Sequence, residues 1–169
     1  MNLDVSVEYD RWSSVDVKSL TDECAAAVFA ELKLNHYNVE ICFLFTDDEE
    51  LRMLNKTYRG IDKPTNVLSF PADSLADIPA DEYDNNDCCC NNDCCCNACI
   101  LGSVAMAYES IERESIEQEK AFENHLRHLV VHSVLHLLGY DHSTPSQAEQ
   151  MERLEIKILA NLNVANPYL

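Results

Sequence analysis

Phe122-Glu-Asn-His125-Leu-Arg-His128-Leu-Val-Val-His132-Ser-Val-Leu-His136-Leu-Leu-Gly139-Tyr-Asp-His142 is the stretch from which the rest of the chain can be read. Phe122, Leu126, Leu129, Val130, Leu137 and Leu138 recur at helical spacing, which predicts a helix over 122–138 with Gly139 at its C-terminal cap. His132 and His136 are four residues apart on that helix. Side chains so spaced share a face, with Cβ atoms about 5–6 Å apart, so two imidazoles can converge on one ion. Gly139 lets the chain leave the helix, which frees His142 to turn back and complete a three-histidine site. Three protein ligands leave a position for water, the arrangement of a catalytic zinc rather than a structural one. His125 and His128 lie on nearly the same stripe and read as helix-surface or outer-shell residues; His36 reads as a solvent-exposed turn residue.

Outward from this helix the pattern mixes strands and helices. Leu3–Tyr9 alternates like a strand, and 15–32 has helical periodicity through Val17, Leu20, Cys24, Val28 and Leu32. Val39–Phe45 is a β-branched and aromatic run. Thr46 is the expected cap of a helix reaching about Tyr58, with four acids at its positive end. A turn over 60–65, a strand over 67–70 ended by Pro71, a strand over 100–107 and a helix over 107–117 follow. Thr144 and Pro145 start a last helix ending near Leu162. With no regular βαβ repetition, the expected class is α+β: a small mixed sheet packed with helices, the metal site at the end of a central helix. All 169 residues form one domain on this reading.

Residues 71–98 break the pattern. They carry seven acids and no base, and the unit Asn-Asn-Asp-Cys-Cys-Cys occurs twice, at 85–90 and 91–96. Such low complexity predicts a long loop, Cys-rich over about 84–98. A lineage-specific expansion is the simplest account; a second metal or redox site is the alternative, although C-x₂-C spacing occurs only between Cys96 and Cys99. Cys24 and Cys42 read as small buried hydrophobes.

The formal charge of −18 opposes general nucleic-acid binding. Residues 51–71 differ: Arg52, Lys56, Arg59 and Lys63 face only Asp62, a local excess of three positive charges that can direct a phosphate to one place. No apolar run approaches the ~20 residues of a membrane helix. Met1-Asn-Leu-Asp-Val5 has neither a basic nor an apolar leader region, so a soluble cytoplasmic protein with no membrane partner is expected.

The ligand spacing also occurs in metzincin peptidases, but Ser133 stands where they carry the Glu that takes a proton from metal-bound water. That argues against ordinary peptidase chemistry and leaves hydrolysis open, because a metal alone lowers the pKa of bound water to near neutral.

The segment from His132 to His142 resembles the signature of the YbeY family, single-strand-specific endoribonucleases of ribosomal RNA maturation. Leu54-Asn55-Lys-Thr-Tyr58-Arg59-Gly60-Ile-Asp62-Lys63-Pro64-Thr65-Asn66-Val67-Leu68-Ser69-Phe70-Pro71 is a second match, Ile100-Leu101-Gly102 a third, and Met151, Glu152 and Glu155 a fourth. The resemblance implies an α+β fold with the metal at the end of a cleft. It implies a zinc-dependent endoribonuclease acting in 16S rRNA 3′-end processing and ribosome quality control, with single-stranded rRNA and the ribosome or its proteins as partners. It also implies that Arg59 faces the metal and contacts substrate phosphate, with Lys63 assisting; the guanidinium fork suits a phosphate better than an ammonium does. Asp141 orients a ligand or serves the turn, and no residue stands out as general base. The sequence departs from the family pattern at Ser103 and Asn66, where Asp is common, and at Ser133, where Gly is usual. The rival readings are a metallopeptidase with a displaced base and a non-catalytic ribosome-assembly factor with a structural metal.

Overall fold

A computed structural model describes residues 1–34, 39–72 and 99–169. His36 and the Cys-rich segment at 84–98 lie outside the described residues. The elements are β1 (Asn2–Val7), α1 (Val17–Leu32), β2 (Val39–Thr46), α2 (Asp48–Arg59), β3 (Val67–Pro71), β4 (Cys99–Ala107), α3 (Tyr108–Glu117), α4 (Phe122–Leu137) and α5 (Pro145–Asn161). A short 3₁₀ turn, Asp10–Ser14, joins β1 to α1. The strands form one mixed sheet in the order β1-β2-β4-β3. β1 and β4 run parallel to β2, and β3 runs antiparallel to β4. The α+β expectation holds, and β1-α1-β2 is nevertheless a parallel crossover unit.

Strand alternation divides the sheet into two unlike faces. Ile41, Phe43 and Phe45 of β2 and Val104 and Met106 of β4 join the main core, which the apolar stripes of α1, α4 and α5 complete. On the opposite face Leu51 of α2 packs with Leu68, Ala105 and Ala107 in a smaller cluster. Cys42 points to this less covered side and is exposed, whereas Cys24 of α1 is buried. The period-2 alternation of β2 explains the difference, and the expectation that both thiols are buried is corrected for Cys42.

Local chemistry sets the helix ends. Asp47, not Thr46, caps α2: its side chain accepts the Glu50 amide at 2.9 Å. Thr46 is the last residue of β2, and its carbonyl instead takes the indole N–H of the buried Trp12 at 2.9 Å. Asp16 caps α1 in the same way, so that helix starts at Val17 rather than Val15. α2 and α3 cap one another. Asp48 Oδ1 accepts the Ser110 amide, and Glu109 Oε2 accepts the Asp48 amide. Thr144 and Gln147 form a capping box at the start of α5, with Pro145 in its first turn. Among the described residues no helix is long and apolar enough to cross a membrane.

Gly102 locks α4 to the sheet. β4 has a bulge where Glu40 pairs with Ile100 and Ile41 with Gly102, and Gly102 takes φ +142°. A Cβ there would stand 2.2 Å from the Phe70 carbonyl oxygen and 3.0 Å from Leu137 Cδ2. The last turn of α4, which carries His136, therefore sits directly on the β3–β4 edge.

Candidate metal centre

α4 presents His132 and His136 one turn apart, with ring centroids 4.5 Å apart. The helix then stops in a Schellman arrangement. The Gly139 amide bonds the His136 carbonyl, the Tyr140 amide bonds the Leu135 carbonyl, and Gly139 adopts φ +85°. This reversal carries His142 back over the helix end, to centroid distances of 5.6 Å from His132 and 5.0 Å from His136. Asp141 holds the turn: its carboxylate accepts the His142 amide at 2.8 Å and the Ser143 hydroxyl. Of the two roles open to Asp141, the turn is the one these contacts serve.

The donor atoms fit a metal ion. One nitrogen of each histidine lies within 4.8 Å of the corresponding atoms of the other two. His132 Nε2 and His136 Nε2 approach to 3.1 Å. On the far side of the His132 ring, Nδ1 meets Glu155 Oε1 at 2.7 Å. That contact keeps the proton on Nδ1 and leaves the Nε2 lone pair facing the cluster, as metal-binding imidazoles are generally arranged. Burial, then the proximity of His132 and His142, lowers the His136 pKa to about 4 and keeps its imidazole neutral near pH 7. His142 is exposed, so the group opens to solvent on that side.

Glu155 is the residue whose role sequence reasoning missed. It is completely buried on α5, in the stripe of Met151, Ile158 and Leu159. Burial would raise its pKa, but hydrogen bonds from His128, His132 and Tyr168 overcome this and bring it to about 2. The signal was present in the sequence: an acid in a core stripe must find partners. The neighbouring histidines pair as well. His128 Nε2 meets Glu155 Oε2 at 3.1 Å, and the buried His125 Nε2 meets Glu114 Oε2 at 2.9 Å. His128 therefore shares the Glu155 carboxylate with His132, while His125 belongs to a separate network in which Asn66 Nδ2 donates to Glu114 at 2.9 Å. Asn66 supports this network rather than the three histidines. Ser133 is fully buried and donates to the Leu129 carbonyl at 2.7 Å, so its hydroxyl turns away from the site.

The basic segment ends α2. Arg52 and Lys56 both bind Asp62, and Asn55 Nδ2 holds the Lys63 carbonyl at 2.8 Å. Arg59 and Lys63 are exposed and enter no ion pair among the described residues. Among the described residues the local excess of positive charge thus leaves Arg59 and Lys63 without an acidic partner. No hydrogen bond among the described residues joins either one to the histidines. Beside α2, a groove of about 450 Å³ runs over the open sheet face, lined by Ser6, Cys42, Tyr58, Phe70 and Ser103 among others. Tyr58 and Phe70 meet edge to face there at 5.0 Å.

The chain is similar in sequence and fold to known proteins. The chain is 40% identical over 166 residues to the protein named Endoribonuclease YbeY from Bradyrhizobium diazoefficiens, covering 98% of this chain and 84% of the relative. It is 40% identical over 167 residues to the protein of that name from Chelativorans sp., covering 98% and 92%. The solution structure of TM1509 from Thermotoga maritima superposes with a TM-score of 0.55 at 21% identity, over 96% of this chain and 92% of that one, a likeness of fold. The family model described as Endoribonuclease YbeY matches residues 4–163, a span that takes in the basic end of α2, the histidines and Glu155, and the chain belongs to the YbeY family.

Proposed function

We propose that this protein is a zinc-dependent, single-strand-specific endoribonuclease that acts on ribosomal RNA, in 16S rRNA 3′-end processing and ribosome maturation in the cytoplasm. The observation that carries the reading is the convergence of His132, His136 and His142 within 4.8 Å at the end of α4, in a chain whose relatives are named endoribonucleases. Three imidazoles with one open side are the donor set of a catalytic zinc. A metal ion held there supplies Lewis-acid polarisation of a phosphoryl oxygen and acidifies a water molecule.

The protein's own groups do the rest. Glu155 fixes the tautomer and orientation of His132. It is not free to act as general base, because its two oxygens are taken by His132, His128 and Tyr168. Arg59, at the end of α2 and in no ion pair among the described residues, binds the scissile phosphate and stabilises the charge that develops on it; Lys63 adds attraction for the RNA backbone. With −18 overall, the protein gains little from bulk electrostatics, and docking on the ribosome supplies the affinity that the charge denies.

Two features oppose the peptidase reading. Ser133 replaces the peptidase base, and its side chain is buried away from the histidines. The test is cleavage of purified single-stranded RNA by Arg59→Glu and His136→Ala, made separately. Each is expected to lose activity while remaining folded; unchanged cleavage in both overturns the assignment. Metal-loaded protein that binds ribosomes and cleaves no RNA would favour the assembly-factor reading instead.

A further inference from the structure

The buried carboxylate of Glu155 has two edges. Oε1 serves His132. Oε2 serves His128 Nε2 at 3.1 Å and also accepts a hydrogen bond from the hydroxyl of Tyr168. Tyr168 lies beyond α5, in a segment that returns across the helical layer. Lys120, in the turn between α3 and α4, donates to the Pro167 carbonyl, and the Tyr168 amide bonds Asn166 Oδ1 at 2.9 Å. Tyr168 is 45% exposed and its ring meets His128 edge to face at 5.6 Å, so it is only partly buried there. What it contributes inward is its hydroxyl.

A carboxylate whose second edge has two partners is set more firmly in its plane than one with a single partner there, and Tyr168 adds that further partner to Oε2 beside His128. The imidazole of His132 takes its orientation from that plane. We propose that Tyr168 is a positioning residue of the metal centre, acting through Glu155 on His132, so that the segment after α5 completes the ligand geometry. This rests on the reading of His132, His136 and His142 as metal ligands. It adds that the site depends on a residue outside both the ligands and their direct partner.

The test uses the metal-free protein with residues 1–169 and cobalt(II), whose visible absorption reports both binding and ligand geometry. Tyr168→Phe removes only the hydroxyl and is expected to weaken cobalt binding about threefold to tenfold. Glu155→Gln is expected to weaken it about 10–100-fold, the range for partners bonded directly to a ligand. The double variant is expected to match Glu155→Gln alone, because the hydroxyl reaches His132 through the carboxylate, and its other contact, His128 Nε2 at 3.5 Å, is not bonded to His132. Lys120→Met, which releases Pro167 without touching the carboxylate, is expected to shift binding in the same direction by a smaller factor. Nitrogen NMR of His132 should show its Nδ1-protonated form less populated in Tyr168→Phe. Unchanged cobalt affinity in both Tyr168→Phe and Lys120→Met overturns the proposal, as does a Tyr168→Phe loss that persists in full beside Glu155→Gln. In either case the metal site itself stands. Wild-type protein that takes up no cobalt overturns the metal reading and this inference together.

Discussion

Glu155 Oε1 and His132 Nδ1 lie 2.7 Å apart, joining α5 to α4 through a carboxylate that solvent does not reach. The contact couples helix packing to the orientation of a candidate metal ligand. Anything that displaces α5 withdraws the acceptor that keeps the His132 proton on the side away from the cluster.

Acid should destabilise the metal-free protein in two overlapping steps. His136 titrates at about 4 in the folded state because burial, then His132 and His142, disfavour its charge. The unfolded chain titrates near 6.5, so it binds a proton that the folded chain refuses, and stability falls as pH drops from about 6.5 towards 4. Glu155 titrates at about 2 when folded and near 4.5 when unfolded. Its contribution, on the order of 3 kcal/mol, is fully present above about 4.5 and is lost as pH falls towards 2. Urea denaturation from pH 7 to pH 3 checks this: Glu155→Gln should flatten the lower part of the decline and leave the upper part in place.

Gly102→Ala should destabilise the fold by at least about 2 kcal/mol, because a Cβ meets backbone on one side and φ is positive. The neighbours cannot yield cheaply, since the 2.2 Å contact is to the Phe70 carbonyl. Denaturation midpoints measure the loss. Metal affinity should fall with it, because Leu137 next to His136 is pushed from the same side.

Ser133→Glu would restore the residue that peptidases carry after their first histidine, and it should yield no peptidase. The position has no exposed surface, and its side chain faces the core beside Leu129. Burying an unpaired carboxylate there should cost several kcal/mol. Folded, stable protein that cleaves casein would contradict this.

Asn66→Asp should introduce repulsion where Asn66 now donates to Glu114 at 2.9 Å. Two carboxylates at that separation cannot both stay charged at no cost. The variant should be less stable by about 1–2 kcal/mol at neutral pH and recover on acidification, as one proton comes to be shared. Thermal denaturation at pH 5 and pH 8 separates this from a simple packing defect, which would show equal losses at both.

Arg59→Ala should lower kcat/KM on single-stranded RNA about 10²-fold, the scale of a lost charge-stabilising donor, with the melting temperature unchanged because Arg59 is exposed and makes no ion pair among the described residues. Lys63→Ala should mainly raise KM, and high salt should erase the difference. Steady-state kinetics at two salt concentrations test both.

The sequence by itself determined the metal-centre candidate and most of the elements. The i, i+4 spacing of His132 and His136 and the reversal at Gly139 are local geometry, and a helix has the same geometry in any fold. Period-2 and period-3.6 patterns located the strands and helices for the same reason. The departures were local competitions between neighbours: Asp47 outcompeted Thr46 for the α2 cap once the Thr46 carbonyl was engaged by Trp12. Only the tertiary structure decided what depends on contacts between distant segments. Cys42 faces outward because the sheet covers its two faces unequally. Arg52 and Lys56 are consumed by Asp62, and among the described residues Arg59 and Lys63 have no ion-pair partner. Glu155 reaches His132, 23 residues away in sequence, because α5 packs along α4; no periodicity encodes that pairing. Spacing can name candidate metal ligands, but the groups that hold those side chains in place come from other elements, and only folding brings them within hydrogen-bond range.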